Sequence, residues 1–408
     1  MFWIPRRSFN SSAISLAKKV SKGKSSNSSG EPKNALLGRT SSKLSAGIVG
    51  LANVGKSTFF QAITKSSLGN PNNYPFATVK PEEALYRVPS DRLLKLSQIY
   101  KSSKITPSYL KIVDIAGLVR NASKGEGLGN QFLSDIRNVD GIFHVVRGFD
   151  DDTITHIEIT VDPIRDLEIV NDELLLKDLE TVETTIERNK KDMNKPNMRA
   201  ELTKENEILE KINDLLFEHG KLSNIFKWTE DEVNVINKHK FLTAKPTVYL
   251  LNVSKPDYES QTNKYLKSVQ DWMKEHSPND KLIMFSADHE HEFVNSETAS
   301  PIINDMVISM KDSLNLISFY TVGKVEAKEW SLKRHSTAPE AAGLIHTDLQ
   351  KNFINAQVLK STKVFEKSEE LKDVEDVEKA MKYDRNGKDY EVQDGDIIII
   401  KAVGGKTK

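Results

Sequence analysis

Cysteine is absent from all 408 residues, which excludes disulfides, thiolate catalysis and Cys-ligated zinc or iron–sulfur sites. No run of 18 apolar residues occurs, so nothing in the sequence reads as a membrane-spanning helix. Net charge is lacking too, because 58 basic side chains balance 58 acidic ones. That balance hides an asymmetry. Residues 1–43 hold nine Lys/Arg and one acid, Glu31, a balance of +8, so residues 44–408 carry the complementary −8. An acidic body argues against a general nucleic-acid-coating role, and any RNA contact would need a local basic patch. A content of 38% hydrophobic and 28% charged residues describes a globular protein with highly charged helices. The length exceeds one ordinary core and predicts two or three domains.

The acid-poor start is informative. It runs Met1-Phe2-Trp3-Ile4-Pro5-Arg6-Arg7, is rich in serine, and mixes Ile14, Leu16 and Ala17 with Lys18 and Lys19. This is the composition of a mitochondrial transit peptide, and its apolar stretches are too short and interrupted for a secretory leader. The alternative is a disordered basic tail with RNA-binding capacity. The expected location is the mitochondrial matrix, and residues 1–43 are set outside the fold.

The rest is organised around Gly50-Leu51-Ala52-Asn53-Val54-Gly55-Lys56-Ser57. This fits G-x-x-x-x-G-K-[ST], a loop whose backbone N–H groups cradle nucleotide phosphates. Lys56 would reach the β- and γ-phosphates and the Ser57 hydroxyl would ligate Mg²⁺. Ala46–Val49 reads as a buried strand before the loop. Thr58–Ile63 reads as a helix after it, with Phe59, Ala62 and Ile63 on one face. A helix start there supplies partial positive charge, so Asn53, Val54, Gly55, Lys56, Ser57 and Thr58 are the expected phosphate contacts.

Strands alternating with helices over 45–150 imply a parallel sheet. Asn70–Thr78 is turn-rich, and Thr78 is the candidate for a second hydroxyl on the same Mg²⁺. Tyr109–Val113 reads as a strand ending in Asp114-Ile115-Ala116-Gly117, in which Asp114 would hold a metal-bound water and the Gly117 N–H would approach the γ-phosphate. Leu118 stands where Ras-like hydrolases place a water-orienting Gln, so hydrolysis must recruit another group. Glu126 and Asn130, in the glycine-rich stretch that follows, are speculative sources of one. His144, inside the strand Gly141–Val146, is expected to be a core histidine.

From 163 to 243 apolar residues recur at helical spacing among dense Glu and Lys, with a break near Asn194–Asn197. Two long helices forming a hairpin or coiled coil are expected there. Lys245–Asn252 and Lys281–Phe285 return to the strand pattern. Asn252 and Val253, with the Ser286-Ala287 backbone, are placed to meet a base at the carboxyl edge of the sheet. Residues 316–404 suggest a small mixed domain closing on its final strand.

With Gly50–Ser57, Pro75–Thr78, Asp114–Val119 and Asn252–Ser254 in this order, the chain resembles the Obg-like ATPases, the YchF branch of the Obg GTPases. The resemblance implies an α/β fold: a Ras-like G domain over 44–162 and 244–312, interrupted by a coiled-coil arm over 163–243. A β-grasp TGS domain would follow over 316–404. It also implies Mg²⁺-dependent, weak hydrolysis with ATP bound as well as or better than GTP, and it agrees with Leu118. The expected partner is the mitochondrial ribosome or its RNA, met by the arm and TGS domain of a monomer. A GTP-preferring enzyme, or a nucleotide-sensing RNA- or ribosome-binding module with negligible hydrolysis, are the alternatives. The sequence departs from the family at Lys255, usually Glu, and at Ala52, commonly Pro. Asn53 matches a position linked to K⁺ binding in related GTPases.

Overall fold

The computed structural model describes residues 37–38, 44–67, 83–115, 128–154, 156, 158–195, 197–225, 227–292, 300–368 and 382–403. Two six-stranded sheets organise them. The first comprises β1 (Ser45–Val49), β2 (Glu83–Arg87), β4 (Tyr109–Asp114), β5 (Gly141–Arg147), β6 (Thr247–Asn252) and β7 (Lys281–Phe285), in the order β2-β4-β1-β5-β6-β7. All neighbours run parallel except β2, which runs antiparallel to β4 at the edge. The three central strands SAGIV, GIFHVVR and TVYLLN are buried at every position. Continuous apolar runs of this kind belong to strands covered on both faces, and a parallel sheet needs that cover. It comes from α1 (Lys56–Ser67), α3 (Leu128–Asn138) and α10 (Pro301–Ser313), whose Phe59, Ile136 and Met306 share one core with Ile48 and Phe143. A further cluster pairs Val146, Tyr249 and Leu251 with Trp272 of α8 (Leu266–His276), and α7 (Lys255–Ser260) and α9 (Ala287–Glu292) follow β6 and β7.

Between β5 and β6 lie α4 (Pro163–Asp192), α5 (Arg199–His219) and α6 (Glu230–His239). The 30-residue α4 begins on Asp162, whose carboxylate accepts from the Ile164 and Arg165 N–H groups, with Pro163 in the first turn. Its first half enters the sheet core through Ile169, Val170 and Leu174. Its second half packs Val182 against Leu209, Ile212 and Leu216 of α5. Buried Asn189 donates to Asn206 across this seam at 2.9 Å, a polar pair that penalises any sliding of one helix on the other. The carboxylate of Asp178 takes the N–H groups of Leu242 and Thr243 at 2.9 and 2.8 Å and the Thr243 hydroxyl at 2.7 Å. This anchors the hairpin to the chain entering β6.

The second sheet has the order β11-β10-β12-β8-β9-β3, from β8 (Leu316–Val322), β9 (Glu326–Lys333), β10 (Phe353–Lys360), β11 (Asp384–Asn386), β12 (Asp396–Ala402) and β3 (Lys104–Thr106). The final strand sits in the middle, antiparallel to β10 and parallel to β8. One side of its core holds Phe319, Val358 and Ile398 under α11 (Ala338–Ile345), with α12 (Thr347–Lys351) next in the chain. The other side holds Tyr320, Leu359 and Ile397 against Val364 of α13 (Ser361–Ser368) and against Leu93 and Leu96 of α2 (Asp91–Ile99) and Tyr100 just after it. Both α2 and β3 come from the connection between β2 and β4. The sequence reading left that connection in the first sheet's territory. It is drawn across because Leu93, Leu96 and Tyr100 are all at most 1% exposed only when this second core covers them, and fully burying such side chains is worth about 2 kcal/mol each. Arg92 pairs with Asp394 at 2.9 Å, and Ser102 donates to the Gly323 carbonyl at 2.7 Å.

Two measurements check this account. Asp178→Ala strands three donors in a dry site, so the unfolding free energy in a denaturant titration should fall by roughly 3–5 kcal/mol. His144 is buried in β5, and burial, then the charges of Lys221 and Lys56, lower its pKa to about 3. A folded-state pKa below the ordinary 6.5 means the stability is present above pH 6.5 and is lost as pH falls from there toward 3. Melting temperatures taken across that window should flatten in His144→Phe.

Candidate functional site

The phosphate-loop motif joins β1 to α1 at the carboxyl end of the first sheet, between the ends of β4 and β5. Its backbone is forced by close approaches. A Cβ on Gly50 would lie 2.3 Å from the Val145 carbonyl oxygen. Gly55 has φ +100°, and a Cβ there would lie 2.2 Å from Asn252 Nδ2. Asn53 also takes a left-handed turn at φ 62°, a conformation that asparagine tolerates better than most side chains.

Lys56 is buried at the start of α1, and its Nζ donates to the Leu51 carbonyl of its own loop at 2.6 Å. Burial lowers its pKa to about 8, with the Asp114 charge pulling it back up. It is therefore a cation at neutral pH, short of compensating charge, in a loop built to receive an anion. Ser57 is exposed and Thr58 half-buried in the same helical turn. Asp114 closes β4 in register with Ile48 of β1, which brings its carboxylate to the loop. An ammonium, an exposed hydroxyl and a carboxylate around one helix start are the donor set that a phosphate-bound divalent cation needs, and the residues fit it. Thr78, Gly117, Leu118 and Glu126 lie outside the described residues, as does the Asn130 side chain.

The base side is held by one amide. Asn252 is buried at the end of β6, and its Nδ2 donates to the Val54 carbonyl at 2.9 Å while its Oδ1 accepts from the Ala287 N–H at 2.9 Å. The Ala287 N–H is thereby taken up by Asn252, which leaves its carbonyl as the backbone group for a base edge. Val253 turns its side chain into the core around Trp272, and its N–H donates to the Phe285 carbonyl at 2.8 Å. Asn252 keeps a second N–H on Nδ2 for a ligand. Ser286 is fully buried, and its hydroxyl accepts from the His289 N–H at 3.3 Å. Lys255 opens α7 just after its cap Ser254, half-buried. The His144 ring lies 5.3 Å from that of Tyr249 at a 40° tilt inside the sheet and does not join the site. Sequence reasoning missed the Leu51 carbonyl as the rest position of Lys56 and the Val54–Asn252–Ala287 clamp. The bond from Asn252 to Val54 alone crosses 198 residues of sequence, so the clamp leaves no local signal.

Comparison with known proteins agrees with this geometry. A family model described as "50S ribosome-binding GTPase" matches residues 45–199. The model YchF-GTPase_C, described as "Protein of unknown function", matches 316–403. The "Obg-like ATPase homolog" of Saccharomyces cerevisiae is 47% identical, covering 91% of this chain and 98% of that protein. "Obg-like ATPase 1" of Gallus gallus is 39% identical over 90% of this chain and 94% of its own. The structure of the Schizosaccharomyces pombe YchF GTPase superposes with a TM-score of 0.78 at 42% identity, covering 90% of this chain and 99% of that one. A GTP-binding protein from Pyrococcus horikoshii, at 21% identity and TM-score 0.52, shares the fold. Loop, sheet order, second sheet and relatives converge, and the chain belongs to the Obg-like ATPase (YchF) family of P-loop nucleoside triphosphate hydrolases.

Proposed function

We propose that this protein is a slow, Mg²⁺-dependent ATPase that works as a nucleotide-driven conformational switch. The observation that carries the reading is Lys56, a buried, under-compensated ammonium resting on its own loop carbonyl beside Asp114. An arriving γ-phosphate would replace that carbonyl. The Val54–Thr58 backbone would hold the phosphate oxygens through its N–H groups, with the helix start adding partial positive charge. Ser57 and Thr78 would hold Mg²⁺, which neutralises charge on the β- and γ-phosphates when bound. Asp114 would act on it through water, and the Gly117 N–H would meet the γ-phosphate. Asn53 would contribute to a K⁺ position.

Adenine is favoured over guanine by what stands at position 255. In a guanine reader, Asn-Lys-x-Asp, the acid three residues after the Asn pairs with the N1 and N2 donors. Here that place holds Lys255, which offers those donors no acceptor. Asn252 would donate to N7, an acceptor common to both purines, so it fixes the base without choosing it. Leu118 supports a low intrinsic rate, and also supports the second reading of a sensor with negligible hydrolysis. The basic, serine-rich start supports action in the mitochondrial matrix. The resemblance and the matched ribosome-binding GTPase model support a ribosomal partner.

Lys56→Ala should lower single-turnover ATP hydrolysis by about 100-fold or more, since it removes the main charge on the transferred group. Unchanged binding and turnover would sink the ATPase reading. Hydrolysis that stays undetectable in the wild type even with mitochondrial ribosomes would favour the sensor. Comparing dissociation constants for ATP and GTP, Lys255→Glu should shift the ratio toward GTP by about tenfold, the worth of one recovered hydrogen bond to a charged group.

A further inference from the structure

The end of the first sheet opposite the phosphate loop opens on a cavity of about 210 Å³. A single water needs roughly 10–15 Å³ of such space, so there is room for a small molecule. Its walls are the residues entering β1, β5 and β6, the end of α10, the last residue of β9, and the helices inserted before β6.

The wall is positive. Arg137, Lys240, Lys245 and Lys333 line it with one acid, Asp140. The Asp140 carboxylate accepts from the Ser45 N–H at 2.8 Å and the Ser45 hydroxyl at 3.3 Å. Three helices, α3, α6 and α10, end here, and their C-termini supply about half a negative charge each. Together they offset about 1.5 of the net +3, which leaves the wall positive by roughly 1.5 charges. Lys333 is buried, and its Nζ donates to the Leu37 and Leu314 carbonyls at 3.1 and 3.0 Å, two of the three donors an ammonium has. Burial lowers its pKa to about 8, and Asp140 only partly offsets this.

We propose that this cavity is a second ligand site, separate from the nucleotide site, for a small oxyanion carrying a phosphate or paired carboxylate groups. Lys333, through the third donor of its ammonium, and Lys240 supply the charge and the directional bonds, and Arg137, whose guanidinium also donates to the Thr181 hydroxyl at 3.1 Å, adds to the positive field. Such a ligand would touch the first sheet, the helical insertion and the second sheet at once, so its binding would stiffen their junction.

Because the phosphate loop also binds anions, the test uses full-length protein saturated with Mg²⁺ and a non-hydrolysable ATP analogue. Inorganic phosphate and malonate are titrated separately by calorimetry in low-chloride buffer. The expected result is saturable one-to-one binding of at least one of them, weakened at least tenfold in both Lys333→Met and Lys240→Ala. Affinity for the ATP analogue should stay unchanged. Lys240→Ala, at an exposed position, carries the same expectation if Lys333→Met folds poorly. Absence of saturable binding by both anions overturns the proposal, as does binding that Lys240→Ala leaves intact.

Discussion

The Asn252 side chain is the constraint on which the nucleotide site depends. One amide group joins the Val54 carbonyl of the phosphate loop to the Ala287 N–H of the loop after β7. Both partners are buried, so each bond is made in a low dielectric and each unmade group would carry a full desolvation cost. The clamp also explains the loop's composition. With Nδ2 only 2.2 Å from where a Gly55 Cβ would stand, a side chain at 55 would drive the loop off its anchor. Phosphate side and base side are thus parts of one hydrogen-bonded unit.

The second dependency runs between the sheets. β2 and β4 are neighbours beside the phosphate loop, yet the chain joining them spends α2 and β3 in the other sheet. The two legs meet where the Val88 N–H donates to the Ser108 carbonyl at 2.9 Å. Beyond that point Leu93, Leu96 and Tyr100 complete the core around Tyr320 and Ile397. The C-terminal sheet is therefore incomplete without a segment of the nucleotide-binding half. Asp114 is the last residue of one of the strands that carry this segment. β4 and the second sheet are therefore joined through packed side chains rather than through a free linker.

Beside its apolar seam, the helical insertion is fixed in place by polar groups. Asp178 gathers three donors, Lys221 reaches Asp280 and the Thr247 hydroxyl beneath β6, and Asn189 meets Asn206. Burial raises the pKa of Asp178 to about 6 in spite of those donors, a measure of how dry the anchor is. Bonds of this kind add less stability than specificity, because the polar groups are satisfied in one arrangement and stranded in others.

The phosphate loop, the strand–loop–helix around it, the helical hairpin and the strand returning at Thr247–Asn252 were legible because each is written in local periodicity and in residue types with a single strong use. Gly55-Lys56-Ser57 has one common purpose, and TVYLLN can hardly be anything but a covered strand. Local pattern could not show which distant atoms would use up the hydrogen-bonding groups. Val253 and Ala287 read as base contacts from their positions, and folding gave their N–H groups to Phe285 and Asn252, so only their carbonyls are left for such a contact. The sequence by itself determined the chemistry of the phosphate site, since glycine freedom, an ammonium and a hydroxyl at fixed spacing depend on neighbours along the chain. Tertiary structure alone decided the Asn252 clamp, the loan of α2 and β3 to the second sheet and the basic cavity behind the first. Those rest on burial and on pairings between residues far apart in sequence, which local periodicity does not encode.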